Sequence, residues 1–356
     1  MNRYFDFNAT TPLLPEAREA WLRVSEKHWH NPSSLYRDAG IASQHLESAR
    51  ERLGTLLGVE AERIVFTSGA TEANNLLFSA YAGKTTAIST IEHPSVREPA
   101  RHWTSMQEFD AHQTMPEGMA LGSVMAANNE SGELLPWQDL AASCRAQDIS
   151  FHTDATQWIG KLPADFSTCD YVTGSAHKFG GPKGTGFLVL RDEDECIRLL
   201  RGGPQENGRR AGTENYPAIE AMVTALETIT ARGLPMDATG RDAFEKVMQA
   251  SFEGMRIISA DRPRLWNTSL MVMPRHENLK WLTRLSRRGF SISTGSACSS
   301  GKEGSSVVVT ALGASPEELR RVVRLSGGWE TSVDDWLELA SAFQEVGAEL
   351  DAGGKG

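Results

Sequence analysis

Apolar residues return every three or four positions from Glu16 to His30 and again from Ile41 to Leu57, the spacing of two helices that each bury one face. Downstream the pattern alternates between short apolar runs and longer amphipathic ones. "RIVFTS" (63–68) reads as a strand, "GATEANNLLFSAYAG" (69–83) as a helix, "TTAIST" (85–90) as a strand and "HPSVREPARHW" (93–103) as a helix. "ALGSVMAAN" (120–128) predicts a buried strand, and "PWQDLAASCRAQ" (136–147) a helix with Pro136 near its start. "ISFHTDA" (149–155), "DYVTGSA" (170–176) and "GTGFLVLR" (184–191) are further strands. Strands alternating with helices predict an α/β fold around a mainly parallel sheet. Such sheets receive ligands at the carboxyl ends of their strands.

Near residue 230 the texture changes. After the helix "ENYPAIEAMVTALETIT" (214–230), the segment "ARGLPMDATGRD" (231–242) carries the Gly and Pro of a joint. Beyond it, "MRIISA" (255–260), "NTSLMVM" (267–273), "GFSIST" (289–294) and "RRVVRLS" (320–326) read as strands, with a short helix over 306–312. The amphipathic helix "VDDWLELASAFQEVGAEL" (333–350) closes the pattern, and "DAGGKG" (351–356) reads as a disordered tail. The expectation is a large domain over 15–234 and a smaller α+β domain built from 1–14 and 235–356.

Composition narrows the class. With 356 residues the chain can bury a substantial core, and no apolar run approaches the ~20 residues of a membrane span. A net charge of −10 speaks against nucleic acid or an anionic membrane as partner. The start, "MNRYFDFNATTP", lacks the basic-then-apolar pattern of a signal peptide. The four cysteines (Cys144, Cys169, Cys196 and Cys298) are far apart and form no C-x-x-C pair. That predicts neither a disulfide framework nor a metal site, and a cytoplasmic location.

Chemistry-bearing residues gather where the predicted strands end. In "SGATEANN", Gly69 permits a tight turn and a helix opens at Ala70, a seat for phosphate with Thr71 adding a hydroxyl. Asp154 closes the strand "ISFHTD", with Gln157 three residues on. In "GSAHKFGGPKG", His177 and Lys178 end a strand ahead of a glycine-rich turn. His93 follows the strand "TTAIST". Taken singly, each has an ordinary alternative: a capped turn, a helix-capping acid, a surface lysine, a structural histidine. Together, a phosphate seat, an acid for a pyridine nitrogen and a Schiff-base lysine are what pyridoxal phosphate requires. One thiol stands apart. Cys298 lies in "STGSACSSGKEGSS" (293–306), where Gly295, Gly301 and Gly304 make the backbone permissive and almost nothing could bury it.

In motif order the chain resembles the cysteine desulfurases, within the class V aminotransferase group of fold-type I pyridoxal-phosphate enzymes. The matching segments are "YFDFNATTP", "NPSSLYRDAG", "FTSGATEANN", "IEHPSV", "ANNESG", "HTDATQWIGKLP", "GSAHKFGGPKGTG", "GGPQENGRRAGTEN", "STGSACSSG" and "RVVRLS". The resemblance implies a seven-stranded, mainly parallel sheet in the large domain. It implies that Lys178 carries pyridoxal 5′-phosphate and moves the α-proton, while Asp154 pairs with the ring nitrogen and Gln157 bonds the ring oxygen. His93 would stack on the ring and assist proton transfer. Gly69, Ala70, Thr71, Ser175 and His177 would hold the phosphate, with Thr213 reaching the phosphate of a neighbouring subunit in a homodimer. Asn8, Asn129 and Arg324 would contact the substrate, Asn129 lying beside the cofactor as well. L-cysteine would become L-alanine, and Cys298 would take the sulfur as a persulfide for a protein acceptor, as in iron–sulfur cluster assembly.

The chain departs from the family pattern in places. "KEGSS" replaces the Leu-Glu-Pro element that commonly follows the cysteine, Tyr36 stands where relatives carry histidine, and the span from His93 to Asn129 is short for the family, as if it lacked a peripheral strand or helix. Selenocysteine lyase and class V transamination share Lys178, Asp154 and the phosphate seat; transamination has no use for Cys298. A silent sulfur-relay protein would not keep the cofactor residues. Cys144 is expected to pack within a helix, Cys169 to lead into a strand, and Cys196 to sit on an amphipathic helix.

Overall fold

The computed structural model describes residues 3–191, 197–198, 200–295 and 307–353, so the expectations for Cys196 and Cys298 lie outside the described residues. The chain forms two compact units, one from 11–126 with 135–234 and one from 1–10, 127–134 and 235–356.

The larger unit runs α1 (Pro15–Lys27), α2 (Arg37–Leu57), β1 (Ile64–Thr67), α3 (Ala70–Ala80), β2 (Thr85–Ser89), α4 (Pro94–Trp103), β3 (Ser105–Phe109), β4 (Leu121–Ser123), α5 (Trp137–Ala146), β5 (Ser150–Asp154), β6 (Tyr171–Ser175), β7 (Gly186–Val189) and α6 (Tyr216–Arg232). Its seven strands lie in the order β1-β7-β6-β5-β4-β2-β3. All neighbours pair in parallel except β7, which is antiparallel to both β1 and β6. The sheet is thus mainly parallel, and β5 and β6 are buried along their whole length, as strands covered on both faces must be. β1 is an edge strand, and its outward groups are taken by a buried ion pair. Arg50 donates to the Ile64 carbonyl, and Glu206 accepts from the Phe66 N–H while pairing with Arg50 at 2.8 Å. The pair closes an edge that would otherwise leave polar backbone unsatisfied.

The 94–128 span, short as it is, holds both α4 and β3, and β3 pairs with β2 as the outermost strand. β4 is shorter than the run 120–128 predicts. Its chain nonetheless continues beside β5, because Val124 and Ala126 donate to the carbonyls of His152 and Asp154.

In the smaller unit, β8 (Arg256–Ile257), β9 (Thr268–Val272) and β10 (Val322–Ser326) form an antiparallel sheet ordered β10-β9-β8. α7 (Thr239–Ser251), α8 (Asn278–Arg287), α9 (Val307–Ala311), α10 (Pro316–Leu319) and α11 (Val333–Gly353) complete it. Phe244, Trp281, Trp336 and Phe343 anchor its core, together with Phe5 from the N-terminal segment. "GFSIST" is not a strand. Only Ser291 and Ser293 make isolated bridges, to Tyr4 and Arg324. Residues 351–353, read as tail from the sequence, belong to the last turn of α11.

Candidate active site

The carboxyl edge of the seven-stranded sheet collects most of the larger unit's predicted site residues. β1 ends at Thr67, and Gly69 forms the N-terminal boundary of α3 at φ 148 and ψ 176, a region open essentially to glycine. No capping side chain serves α3 among the described residues, which leaves its first-turn N–H groups, at Ala70 and Thr71, to meet an anion. A Cβ placed on Gly69 would sit 3.4 Å from Ser175 Oγ, so the end of β6 reaches the same turn. Glu72 in that first turn accepts from the Ser68 N–H and pairs with Arg210 at 2.8 Å. Burial alone would raise the Glu72 pKa, and the bonds from Arg210 and Ser68 more than reverse it. Arg210 thereby ties the "RRAGTEN" loop to the turn. Thr213, in that loop, is exposed.

β2 leads to His93, which caps α4: its Nδ1 accepts from the Ser95 N–H at 3.1 Å. Burial and Lys178 hold the imidazole below its ordinary pKa, against the opposing pull of Asp154. Asp154 closes β5, nearly buried, and accepts from the Thr156 N–H at 3.0 Å and from Asn74 Nδ2 at 3.3 Å. Gln157 accepts at Oε1 from Lys161 Nζ. An acceptor committed to a lysine makes Nε2, a donor, the other end of that amide. β6 passes into a 3-10 turn, Ala176–Lys178, placing His177 and Lys178 beside the same edge. Burial, helped by Lys178 and Lys183, keeps His177 neutral with a pKa down at about 4. The His177 carbonyl accepts from both the N–H and Oγ1 of Thr11.

The smaller unit gathers a second set. Arg324, on β10, donates through Nη1 to the Asn129 carbonyl and through Nη2 to Asp6 at 2.6 Å. Asn8 Nδ2 donates to the same Asn129 carbonyl and to Thr268 Oγ1. Asn128 Oδ1 accepts from the N–H groups of Glu130 and Ser131, which locks the turn carrying Asn129. Gly295 stands at φ 100, and a Cβ there would sit 3.1 Å from Glu130 Oε2. Cys298 follows it and lies outside the described residues. Asn74, Ser95, Lys161 and Asp6 are polar residues of these sets that the motifs alone do not single out.

Comparison with known proteins decides the family. The class-V aminotransferase model matches residues 3–335. The chain belongs to that family. Among its relatives, this class-V chain is 37% identical to a cysteine desulfurase of Rhodobacter capsulatus over 98% of its own length and 97% of the other's. A solved NifS-like protein superposes with a TM-score of 0.87 at 27% identity, covering 98% of this chain and 100% of that one. A solved structure described as SspA in complex with cysteine gives 0.79 at 31% identity, over 91% and 98%. No helix among the described residues is long and apolar enough to cross a membrane.

Proposed function

We propose that this class-V family member is a pyridoxal-phosphate-dependent cysteine desulfurase that converts L-cysteine to L-alanine and passes the sulfur through Cys298. One observation carries the reading: Asp154 ends β5, and the Gly69 turn, His93 and Lys178 follow within four residues of the ends of β1, β2 and β6 in the same sheet, in a chain whose relatives include cysteine desulfurases. The donor set fits the cofactor. First-turn N–H groups of α3 suit a phosphate, a buried carboxylate suits a protonated ring nitrogen, and Thr156 Oγ1 is buried without a partner among the described residues.

In this reading Gly69, Ala70, Thr71, Ser175 and His177 hold the phosphate, Asp154 the ring nitrogen, Gln157 the ring oxygen, and Lys178 the aldehyde carbon. Bound there, the cofactor draws electrons from the amino acid attached to it and makes its carbon–sulfur bond breakable. Lys178 moves the α-proton, and His93, whose pKa burial holds below its ordinary value, covers the ring and exchanges protons. Arg324 and Asn129 orient the substrate carboxylate, with Asn8 bracing Asn129. The Cys298 thiolate attacks the substrate sulfur. As the sulfur–carbon bond breaks, its electron pair stays on carbon, which takes a proton to give alanine, and Cys298 keeps the sulfur as a persulfide. A homodimer with Thr213 at the partner's phosphate, and a protein acceptor for the sulfur, complete the proposal.

Mass spectrometry of the cofactor-loaded protein after brief exposure to L-cysteine tests it. Wild type should gain one sulfur atom on Cys298 and release alanine, and Cys298→Ala should lose both. Alanine release with no sulfur on Cys298 would overturn the assignment of the thiol.

A further inference from the structure

His93 and Asp154 stand on different strand ends, yet one unbroken hydrogen-bond path joins them. It runs through two buried residues that the proposed chemistry does not use. Asn74, in α3, donates from Nδ2 to Asp154 Oδ2 at 3.3 Å and to Ser95 Oγ at 3.0 Å. Ser95 Oγ lies 2.9 Å from His93 Nδ1, and the Ser95 N–H donates to the same nitrogen. Resting on the function proposed above, we infer that Asn74 and Ser95 are positioning residues, a bridge through which the Asp154 carboxylate dictates which ring nitrogen of His93 carries the proton.

The direction of the path follows from its end. An ionised carboxylate only accepts. Turning the Asn74 amide over would set Oδ1 against Asp154 Oδ2, so Nδ2 must face the acid. The geometry shows the cost of that choice, since Asn74 Oδ1 is buried with no partner among the described residues. Asn74 then gives one hydrogen to Asp154 and the other to Ser95 Oγ. The Ser95 N–H already donates to His93 Nδ1, so the lone pair of that nitrogen faces Ser95 and the hydroxyl, accepting from Asn74, turns its own hydrogen to it. That nitrogen meets two donors and must present its lone pair, so the neutral ring keeps its proton on Nε2. A proton on Nδ1 would oppose the Ser95 N–H and force the hydroxyl to reverse. Of the charged groups facing His93, Lys178 also disfavours the imidazolium, whereas Asp154 favours it directly. The bridge therefore makes His93 an Nε2–H donor at the start of the reaction.

Nitrogen-15 NMR of the full chain labelled at its nine histidines, recorded with and without added pyridoxal 5′-phosphate, tests the bridge. His93→Gln assigns the signal. Wild type should show His93 as the Nε2–H tautomer without cofactor. Ser95→Ala should move its protonation midpoint to higher pH and mix in the Nδ1–H form. Asn74→Ala should act in the same direction by freeing the hydroxyl, and Ser95→Thr should restore the wild-type signal. An Nδ1–H tautomer in wild type would overturn the inference, as would a Ser95→Ala signal unchanged in tautomer and midpoint. If Asn74→Ala fails to fold, Ser95→Ala still decides. Failure of wild type to bind pyridoxal 5′-phosphate would count against the proposed function while leaving the tautomer measurement intact.

Discussion

Asp6 holds Arg324: its Oδ1 lies 2.6 Å from Nη2, and both belong to the smaller unit. The arginine is almost wholly buried while the aspartate is partly open, so the acid sets the direction of the fork and solvent does not. Asp6→Asn keeps the shape and removes the charge. Its expected result is a KM for L-cysteine raised about tenfold, about 1.4 kcal/mol, with kcat little changed. Steady-state alanine release checks it; an unchanged KM would separate Arg324 from the substrate carboxylate.

Glu92 carries a pH dependence. It is fully buried, accepts from Ser89 Oγ and the Met125 N–H at 2.6 Å each, and burial pushes its pKa up from 4.5 to about 8. The neutral form is the one the fold prefers. Its contribution is therefore complete below pH 4.5 and is lost as pH climbs through about 8. Glu92→Gln, which cannot ionise, should escape that loss. Urea unfolding at several pH values should show the mutant's advantage growing from acid to pH 8 by up to about 1.4 kcal/mol per unit. Parallel curves would show that Glu92 titrates alike in the folded and unfolded chain.

At Gly69 backbone conformation outweighs crowding. A Cβ would make only ordinary contact with Ser175 Oγ, but φ 148 with ψ 176 suits no side-chain-bearing residue. Gly69→Ala should cost about 1–3 kcal/mol of stability and weaken pyridoxal 5′-phosphate binding, read by denaturation and fluorescence titration. Unaltered binding would move the phosphate seat elsewhere.

Lys161 is a buried cation behind Gln157. Lys161→Met removes its charge and frees the Gln157 amide to turn. Both changes ease protonation of the bound cofactor, so the pH at which its absorbance changes should move upward. A downward move in a spectrophotometric titration would refute this role.

The sheet was legible because its central strands, such as β5 and β6, are short runs buried along their whole length, which leaves no other reading. β3 was not. "SMQEF" is an exposed edge with only Phe109 fully buried, so it lacks the apolar run of an inner strand. α8 escaped similarly, since Trp281 and Leu285 are its only buried residues. "GFSIST" misled because alternating apolar positions are buried there without a neighbour to pair along the whole run. At the site, residues proposed to touch the ligands stood out as motifs. Asp6 and Asn74 act on side chains that only folding brings close, Asn74 and Asp154 being 80 positions apart. Ser95 and Lys161 lie two and four residues from the side chains they bond, and they escape because nothing in their type announces it.

The smaller unit is assembled from three separated pieces, the first ten residues, an eight-residue turn and the last third of the chain. During synthesis, the first piece must wait for the last. By the time Thr213 has left the ribosome, every residue proposed for the cofactor's ring and aldehyde has emerged, while β9 and β10 do not yet exist. Domains fold as they emerge, at about 5–20 residues per second. On the function proposed above, the residues for the cofactor leave the ribosome several seconds before Arg324 and Cys298, the residues that would use it.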